Sequence, residues 1–164
     1  MSTAFLFGDN IDTDLIAPTT ADEDKTLVEL CMSGVDPSFH EKFGEGDVVV
    51  AGENFGCGSS RETAPLSLRR LGADAIIASS FARIFYRNAI NIGLPVFEIA
   101  DATAKFSQGD DVVVDRSNGV ISNESSGISY SAPSHPAFLE EIIDAGGLIE
   151  YGNRKIDRRD GHSE

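Results

Sequence analysis

The run Asn54-Phe55-Gly56-Cys57-Gly58-Ser59-Ser60-Arg61-Glu62 follows a strand-like apolar stretch, Val48-Val49-Val50-Ala51-Gly52, and precedes a helix-like one, Thr63 to Leu71. Two glycines, two hydroxyls and an arginine therefore stand where a strand hands over to a helix. Such a junction presents backbone N–H groups at the positive end of a helix dipole, which suits an anion. Gly56 and Gly58 let the backbone approach a ligand closely, and Arg61 adds a planar fork that grips a carboxylate or phosphate by two bonds. A plainer reading stands beside this one. Ser59 or Ser60 would cap the following helix, with Glu62 favoured by its dipole. The run is neither a Walker phosphate loop nor a dinucleotide fingerprint, because Gly-Lys-Ser/Thr and Gly-x-Gly-x-x-Gly are both missing.

Outward from the junction, the apolar pattern alternates strand and helix. Ala4 to Phe7 reads as a first strand, and Gly8-Asp9-Asn10-Ile11-Asp12-Thr13-Asp14 as an acidic turn. Thr19 to Lys25 is a polar loop, and Asp24 is placed to cap a helix running on to Gly34. Ala75 to Ala78 reads as a buried strand, with Ser79-Ser80 capping a helix that Gly93 ends. Leu94 to Ile99 reads as the next strand. This β-α-β-α-β rhythm implies parallel pairing with helices packed on the sheet. Segments 111–115, 119–122 and 127–130, split by Ser/Asn/Gly turns, read as an antiparallel meander. His135-Pro136 leads into a helix from Ala137 to Ala145. Leu148 to Tyr151 reads as a final edge strand, and residues 152–164 as a polar, mobile C-terminal tail.

The 164 residues are expected to form one domain spanning 1–164. No apolar run is long enough for a membrane span, and no secretory signal is visible. Thirteen Lys+Arg against 27 Asp+Glu give a net charge of −14, which speaks against nucleic acid as a partner. Cys31 and Cys57 make no disulfide framework, so a cytoplasmic location is the simpler reading. They are also too few to ligate an iron–sulfur cluster in the usual way. No Cys/His set has metal-ligand spacing, and His40, His135 and His162 read as surface histidines. Asp9, Asp12 and Asp14 alternate like calcium ligands but lack the loop's glycine and distal glutamate. They read instead as turn carboxylates that accept backbone N–H bonds or orient a neighbour. Cys57 reads as a small residue filling a tight turn.

Three segments together carry a resemblance: Asn54 to Glu62, then Ser80-Phe81-Ala82-Arg83-Ile84-Phe85-Tyr86-Arg87-Asn88, then Asn91-Ile92-Gly93-Leu94-Pro95. With Gly8 to Asp14 as the opening motif, they resemble the small subunits of 3-isopropylmalate dehydratase, the detached swivelling domain of the aconitase superfamily. The motifs extend from about Gly8 to Ile99. The resemblance implies an α/β swivelling β/β/α domain whose mixed sheet combines parallel βαβ units with a small antiparallel part. It implies a hydro-lyase subunit acting on a small 2-hydroxy-dicarboxylic acid in leucine biosynthesis. That subunit would be active only with a large subunit, as a heterodimer or heterotetramer, and the large subunit carries the [4Fe–4S] cluster. By motif match Ser59 is the catalytic base, Ser60 and Arg61 bind substrate carboxylate, and Thr13 and Asp14 border the site. This chain is expected to hold no metal itself.

Two departures bear on the substrate. Relatives often follow the opening motif's proline with an arginine and a Tyr-Leu pair. Here Pro18 leads into Thr19-Thr20-Ala21-Asp22-Glu23-Asp24, and the loop is shorter. Relatives often carry histidine after the Arg-Glu pair, where this chain has Thr63. A loop without positive charge does not favour an extra carboxylate, which weakens an aconitate or homoaconitate reading and leaves small apolar groups compatible. The rivals are a related dehydratase subunit, such as one for dimethylmalate, and a non-catalytic anion-binding module with the same fold.

Overall fold

Successive side chains of a strand point to opposite faces, so a strand buried at every position needs cover on both sides. The central strands are of this kind. In the computed structural model, which describes residues 1–18 and 24–161, the strands are β1 (Ser2–Leu6), β2 (Val48–Ala51), β3 (Ala75–Ala78), β4 (Val96–Glu98), β5 (Asp111–Asp115), β6 (Val120–Asn123) and β7 (Ile128–Ser131). The helices are α1 (Thr13–Ile16), α2 (Asp24–Glu29), α3 (Phe39–Lys42), α4 (Thr63–Leu71), α5 (Arg83–Asn91), α6 (Ala102–Lys105), α7 (Ala137–Ala145) and α8 (Leu148–Asp160). One mixed sheet runs β4-β3-β2-β1-β5-β6-β7. The first four strands pair in parallel and the rest antiparallel, with β1 joining the two halves.

The pleat sorts the apolar residues into two cores. Val49, Ala51, Ile76 and Ala78 face one, with Phe55, Leu68, Phe85 and Phe39. Val48, Val50, Ala75 and Ile77 face the other, with Phe97, Ile99 and Phe106. α4 and α5 are the crossovers between parallel strands. α4 ends at Gly72, whose φ of 104° suits the left-handed cap that glycine adopts without strain.

The mixed α/β architecture agrees with the sequence reading, and four local expectations are corrected. The helix from Asp24 stops at Glu29 rather than Gly34. Met32 N–H donates to Ile16 O (2.8 Å) and Gly34 N–H to Leu15 O (3.2 Å), which folds the chain onto α1 instead of extending the helix. Ser79 and Ser80 do not cap α5, which begins at Arg83 after Ala82. Their hydroxyls bond other segments: Ser79 Oγ accepts from Ala102 N–H and Ser80 Oγ from Asn54 N–H. Leu148 to Tyr151 is not an edge strand: it opens α8, which continues through residues 152–160 of the polar C-terminal segment. Gly146 and Gly147, at φ 92° and 133°, end α7 and turn the chain into it. Glu150 in its first turn and Arg158 and Arg159 in its last suit the helix dipole. Finally, His135 is buried, not on the surface. Its Nε2 donates to Val96 O (2.8 Å), closing the free edge of β4, and its Nδ1 lies 2.7 Å from Glu140 Oε1. Of the loop expected at Thr19 to Lys25, residues 19–23 lie outside the described residues, as does His162.

Candidate active site

The loops that leave the C-terminal ends of β1, β2 and β3 are stitched to one another before any functional side chain is placed. Asn10 N–H donates to Glu53 O (2.8 Å), and Glu53 N–H donates to Asp9 Oδ1 (2.8 Å). Gly56 N–H donates to Ile11 O and Thr13 N–H to Cys57 O, both at 2.8 Å. Phe55 N–H donates to Ser80 O and Ala82 N–H to Phe55 O, both at 3.0 Å. The glycines permit this. Gly56 has φ 80°, and a methyl group there would overlap the Phe85 ring. The Phe85 ring in turn meets Phe55 edge-on at 5.2 Å.

This stitching brings Thr13 and Ser59, 46 residues apart, into contact. Ser59 N–H donates to Thr13 Oγ1 (3.2 Å), and the two hydroxyl oxygens lie 3.0 Å apart. Thr13 is buried and Ser59 is exposed. Because Thr13 Oγ1 accepts the Ser59 N–H, its own proton is free to point at Ser59 Oγ, the orientation that favours negative charge there. Thr13 itself begins α1, a single turn capped by Asp12, whose Oδ1 accepts from Asp14 N–H (2.8 Å) and Leu15 N–H (3.0 Å). The acidic opening turn thus works as a backbone clamp, one of the roles its composition suggested.

Arg61 lies across the same junction. One guanidinium nitrogen donates to Ala17 O and lies 3.8 Å from Asp14 Oδ1. Arg61 Nε and Thr63 Oγ1 are buried with no hydrogen-bond partner among the described residues. Buried orphan polar atoms are costly, and these two are free to meet a further acceptor or donor. Ser60 is fixed through its backbone, its O accepting from Asn88 Nδ2 of α5 (3.2 Å).

All five sequence-predicted residues, Thr13, Asp14, Ser59, Ser60 and Arg61, therefore gather on one surface. The plainer reading of the junction does not hold. α4 is preceded by Glu62, with no side-chain capping bond from either serine. Nor do the N–H groups of α4's first turn reach Ser59 Oγ, as the junction suggested; its partner is the Thr13 hydroxyl. Sequence reasoning missed two supports, Asn88 and the Ala17 carbonyl. Asn88 closes the second motif segment, so its signal was present without a role. Ala17 acts through its backbone and leaves no side-chain signal. Among the described residues no group of three or more His, Cys, Asp or Glu side chains converges as a metal site. Cys31 is buried, and its thiol is pushed up to about 12 by desolvation, partly offset by a Ser67 hydrogen bond, so it offers no thiolate.

A family model described as the aconitase C-terminal domain matches residues 9–102. The chain is 51% identical to a 3-isopropylmalate dehydratase small subunit of Caldanaerobacter subterraneus subsp. tengcongensis, over 93% of this chain and 97% of that one. It is 48% identical to a 2,3-dimethylmalate dehydratase small subunit of Eubacterium barkeri, over 91% and 93%. The crystal structure of a 3-isopropylmalate dehydratase from Methanocaldococcus jannaschii superposes with a TM-score of 0.90 at 41% identity, covering 98% of this chain and 97% of that one. The chain belongs to the aconitase C-terminal domain family, among the small subunits of its dehydratases.

Proposed function

We propose that this chain is the small subunit of a cytoplasmic 3-isopropylmalate dehydratase, which interconverts 2- and 3-isopropylmalate by dehydration and rehydration in leucine biosynthesis. The observation that carries the reading is the Thr13–Ser59 hydroxyl pair on the junction that also carries Arg61, whose Nε is buried without a partner among the described residues. Ser59 Oγ, as alkoxide, takes the proton from the carbon alpha to a substrate carboxylate. The electron pair of that C–H bond becomes the new C=C bond as the hydroxyl on the neighbouring carbon departs. Thr13 donates to Ser59 Oγ and stabilises its anionic form. Arg61 exchanges its bond to the Ala17 carbonyl for a bidentate grip on the carboxylate whose charge rises as the proton leaves. Ser60, held at its carbonyl by Asn88, presents its hydroxyl to the same carboxylate.

Among the described residues no side chains gather to hold an iron–sulfur cluster. By resemblance, a [4Fe–4S] cluster on the large subunit would supply the Lewis acidity that assists departure of the hydroxyl. Ser59 is exposed here. Fixed donors and charges act far more strongly on a reacting anion once water is excluded, so little activity is expected without a large subunit closing over it.

The E. barkeri relative supports a second reading, 2,3-dimethylmalate dehydration, because that substrate also carries small apolar groups in place of a third carboxylate. The test is anaerobic co-expression with a cluster-bearing large subunit and an absorbance assay of the unsaturated intermediate. 3-Isopropylmalate, 2,3-dimethylmalate, citrate and homocitrate are compared. The highest kcat/KM is expected for 3-isopropylmalate. A higher value for 2,3-dimethylmalate moves the assignment to the second reading, and a complex with intact cluster that turns over none of the four removes both.

A further inference from the structure

Beside the site lies a cavity of about 600 Å³ between α5, β4 and α7, walled by Arg83, Arg87, Tyr86 and Glu98 with Phe81 and Leu139. None of the residues in the Thr13–Ser59–Arg61 constellation lines it, so it is a separate feature. Its position relative to the site follows from the sheet register. Ala51, where the Ser59 loop leaves β2, pairs with Ala78, and Ala78 pairs with Glu98. Glu98 therefore stands on the same C-terminal edge of the parallel strands as Ala51, two strands or about 10 Å from it. Phe81 on its wall follows Ser80, which bonds the Asn54 backbone, and Asn88 on the same helix holds Ser60.

The cavity sets two arginines against one glutamate. The chain carries 27 acidic residues against 13 basic ones; Lys25, Lys42, Arg61 and Arg116 each find a carboxylate, while Arg154 and Arg158 of α8 have none among the described residues. Arg83 and Arg87, one turn apart on α5, make neither a salt bridge nor a hydrogen bond among the described residues, and α5 contains no acidic residue. Arg83 opens α5, at the positive end of the helix dipole, where a cation is unfavourable. Glu98 faces them across the cavity without a cationic partner of its own, and its charge helps to push the Tyr86 phenol above its usual range, after desolvation.

We infer that this cavity is a docking seat for the large subunit, filled by a segment whose carboxylate meets Arg83 and Arg87 and whose donor meets Glu98, with an apolar side chain on Phe81 and Leu139. The inference rests on the two-subunit reading above. A partner that closes over Ser59 must cover the C-terminal edge of the parallel strands. A standard interface of about 800 Å² per partner is wider than the roughly 10 Å that separates Glu98 from Ala51, where the Ser59 loop departs. The unpaired arginines supply the charge complementarity that fixes register and speeds encounter.

The experiment titrates the full chain against the cluster-bearing large subunit at low and high salt. The wild type is set against Arg83→Glu/Arg87→Glu, with Arg154→Glu/Arg158→Glu on α8 as the control. The cavity pair is expected to raise Kd about 100-fold at low salt, on the scale of buried interfacial charge pairs, with the control within about 3-fold of wild type. Amide hydrogen exchange of residues 81–87 and 96–98 in the wild-type complex serves if the double variant fails to fold, and protection is expected there. Wild-type affinity in the cavity variant, or no protection of those segments, overturns the inference while leaving the two-subunit reading intact. Protection by citrate alone, with complex formation insensitive to the arginines, reassigns the cavity to a small anion and also overturns it. A wild-type chain that forms no complex at all removes the two-subunit reading itself.

Discussion

The two halves of the sheet solve the same problem, where to send backbone bonds at strand ends, in opposite ways. In the antiparallel half each turn satisfies itself. Asp115 accepts from Asn118 N–H (3.1 Å), and Asn123 Oδ1 accepts from Ser126 N–H (3.1 Å), each within three residues. In the parallel half the loops satisfy one another over long separations: Asp9 with Glu53 across 44 residues, Thr13 with Ser59 across 46, Ser80 with Asn54 across 26. Parallel strands release all their C-terminal loops on one edge, and this is where ligand sites form in α/β sheets. The antiparallel half closes its turns within three residues, and its longer bonds, such as Asn123 Nδ2 to Lys105 O and Arg116 to Asp144, gather none of the candidate site residues. Its outer strand β7 has no fully buried residue. The candidate site lies in the half whose loops depend on each other.

The largest expected effect tests that placement directly. Ser59→Ala in the reconstituted enzyme should lower kcat about 10³-fold, the scale of a lost general base. Stability should barely change, because the Ser59 side chain is exposed and Thr13 Oγ1 keeps its bond from the backbone N–H of residue 59. Near-wild-type turnover would sink the base assignment. Second comes a paired glycine substitution. Gly56 and Gly127 share positive φ, 80° and 74°, but an added methyl group at Gly56 strikes Phe85 and one at Gly127 meets nothing within 4 Å. Gly56→Ala should cost about 3 kcal/mol, combining overpacking with left-handed strain. Gly127→Ala should cost about 1 kcal/mol from conformation alone. Equal losses of urea midpoint would break the contrast between a stitched loop and a free turn.

This contrast also explains what was legible in the sequence. The strand–helix alternation from Val48 to Ile99 and the meander from Asp111 onward follow from apolar period and turn residues, which act locally. The site residues were readable as a group only because their motifs resemble a family. Nothing in the spacing of Thr13 and Ser59 announces that their hydroxyls touch. The misread segments are those where a distant partner overrides a local preference. Ser79 and Ser80 have good capping chemistry but spend it on Ala102 and Asn54. Glu29 to Gly34 has helical pattern but bonds back to α1. His135 looks like a turn histidine until β4 supplies the carbonyl that buries it. α8 was misread for a different reason. None of its residues is buried, so it lacks the apolar stripe by which a helix is usually recognised.

Thr13→Val sharpens the comparison further, because it removes one hydroxyl and keeps the shape. The Ser59 N–H and Oγ lose their shared partner. A fall in kcat of about 10- to 100-fold is expected, the range of a hydrogen bond to a charged group, with KM little changed. Thr13→Ser should restore most of it. A purely structural role would instead lower Tm and leave the kcat of the folded fraction intact.

The smallest effect separates the halves by pH. Cys31, in the core beside α1 and α4, has its thiol raised from 9.0 to about 12 by burial. Its contribution is complete below pH 9.0 and is lost as pH climbs toward the folded value, since only the unfolded chain ionises freely there. Stability should therefore fall by up to about 1.4 kcal/mol per pH unit above 9 from this one group. Cys31→Ala should flatten that arm while lowering the neutral-pH baseline. Asp115, in the turn between β5 and β6, is held below its ordinary value by the Asn118 side chain and backbone. Its contribution is present above about pH 4 and is lost as pH falls further. Asn118→Ala should thus blunt the acid arm and leave the alkaline one untouched. An alkaline arm that responds to Asn118, or an acid arm that responds to Cys31, would mean that the two halves unfold through shared local interactions. Independent responses fit a sheet whose meander satisfies its own bonds while its parallel half depends on contacts across the chain.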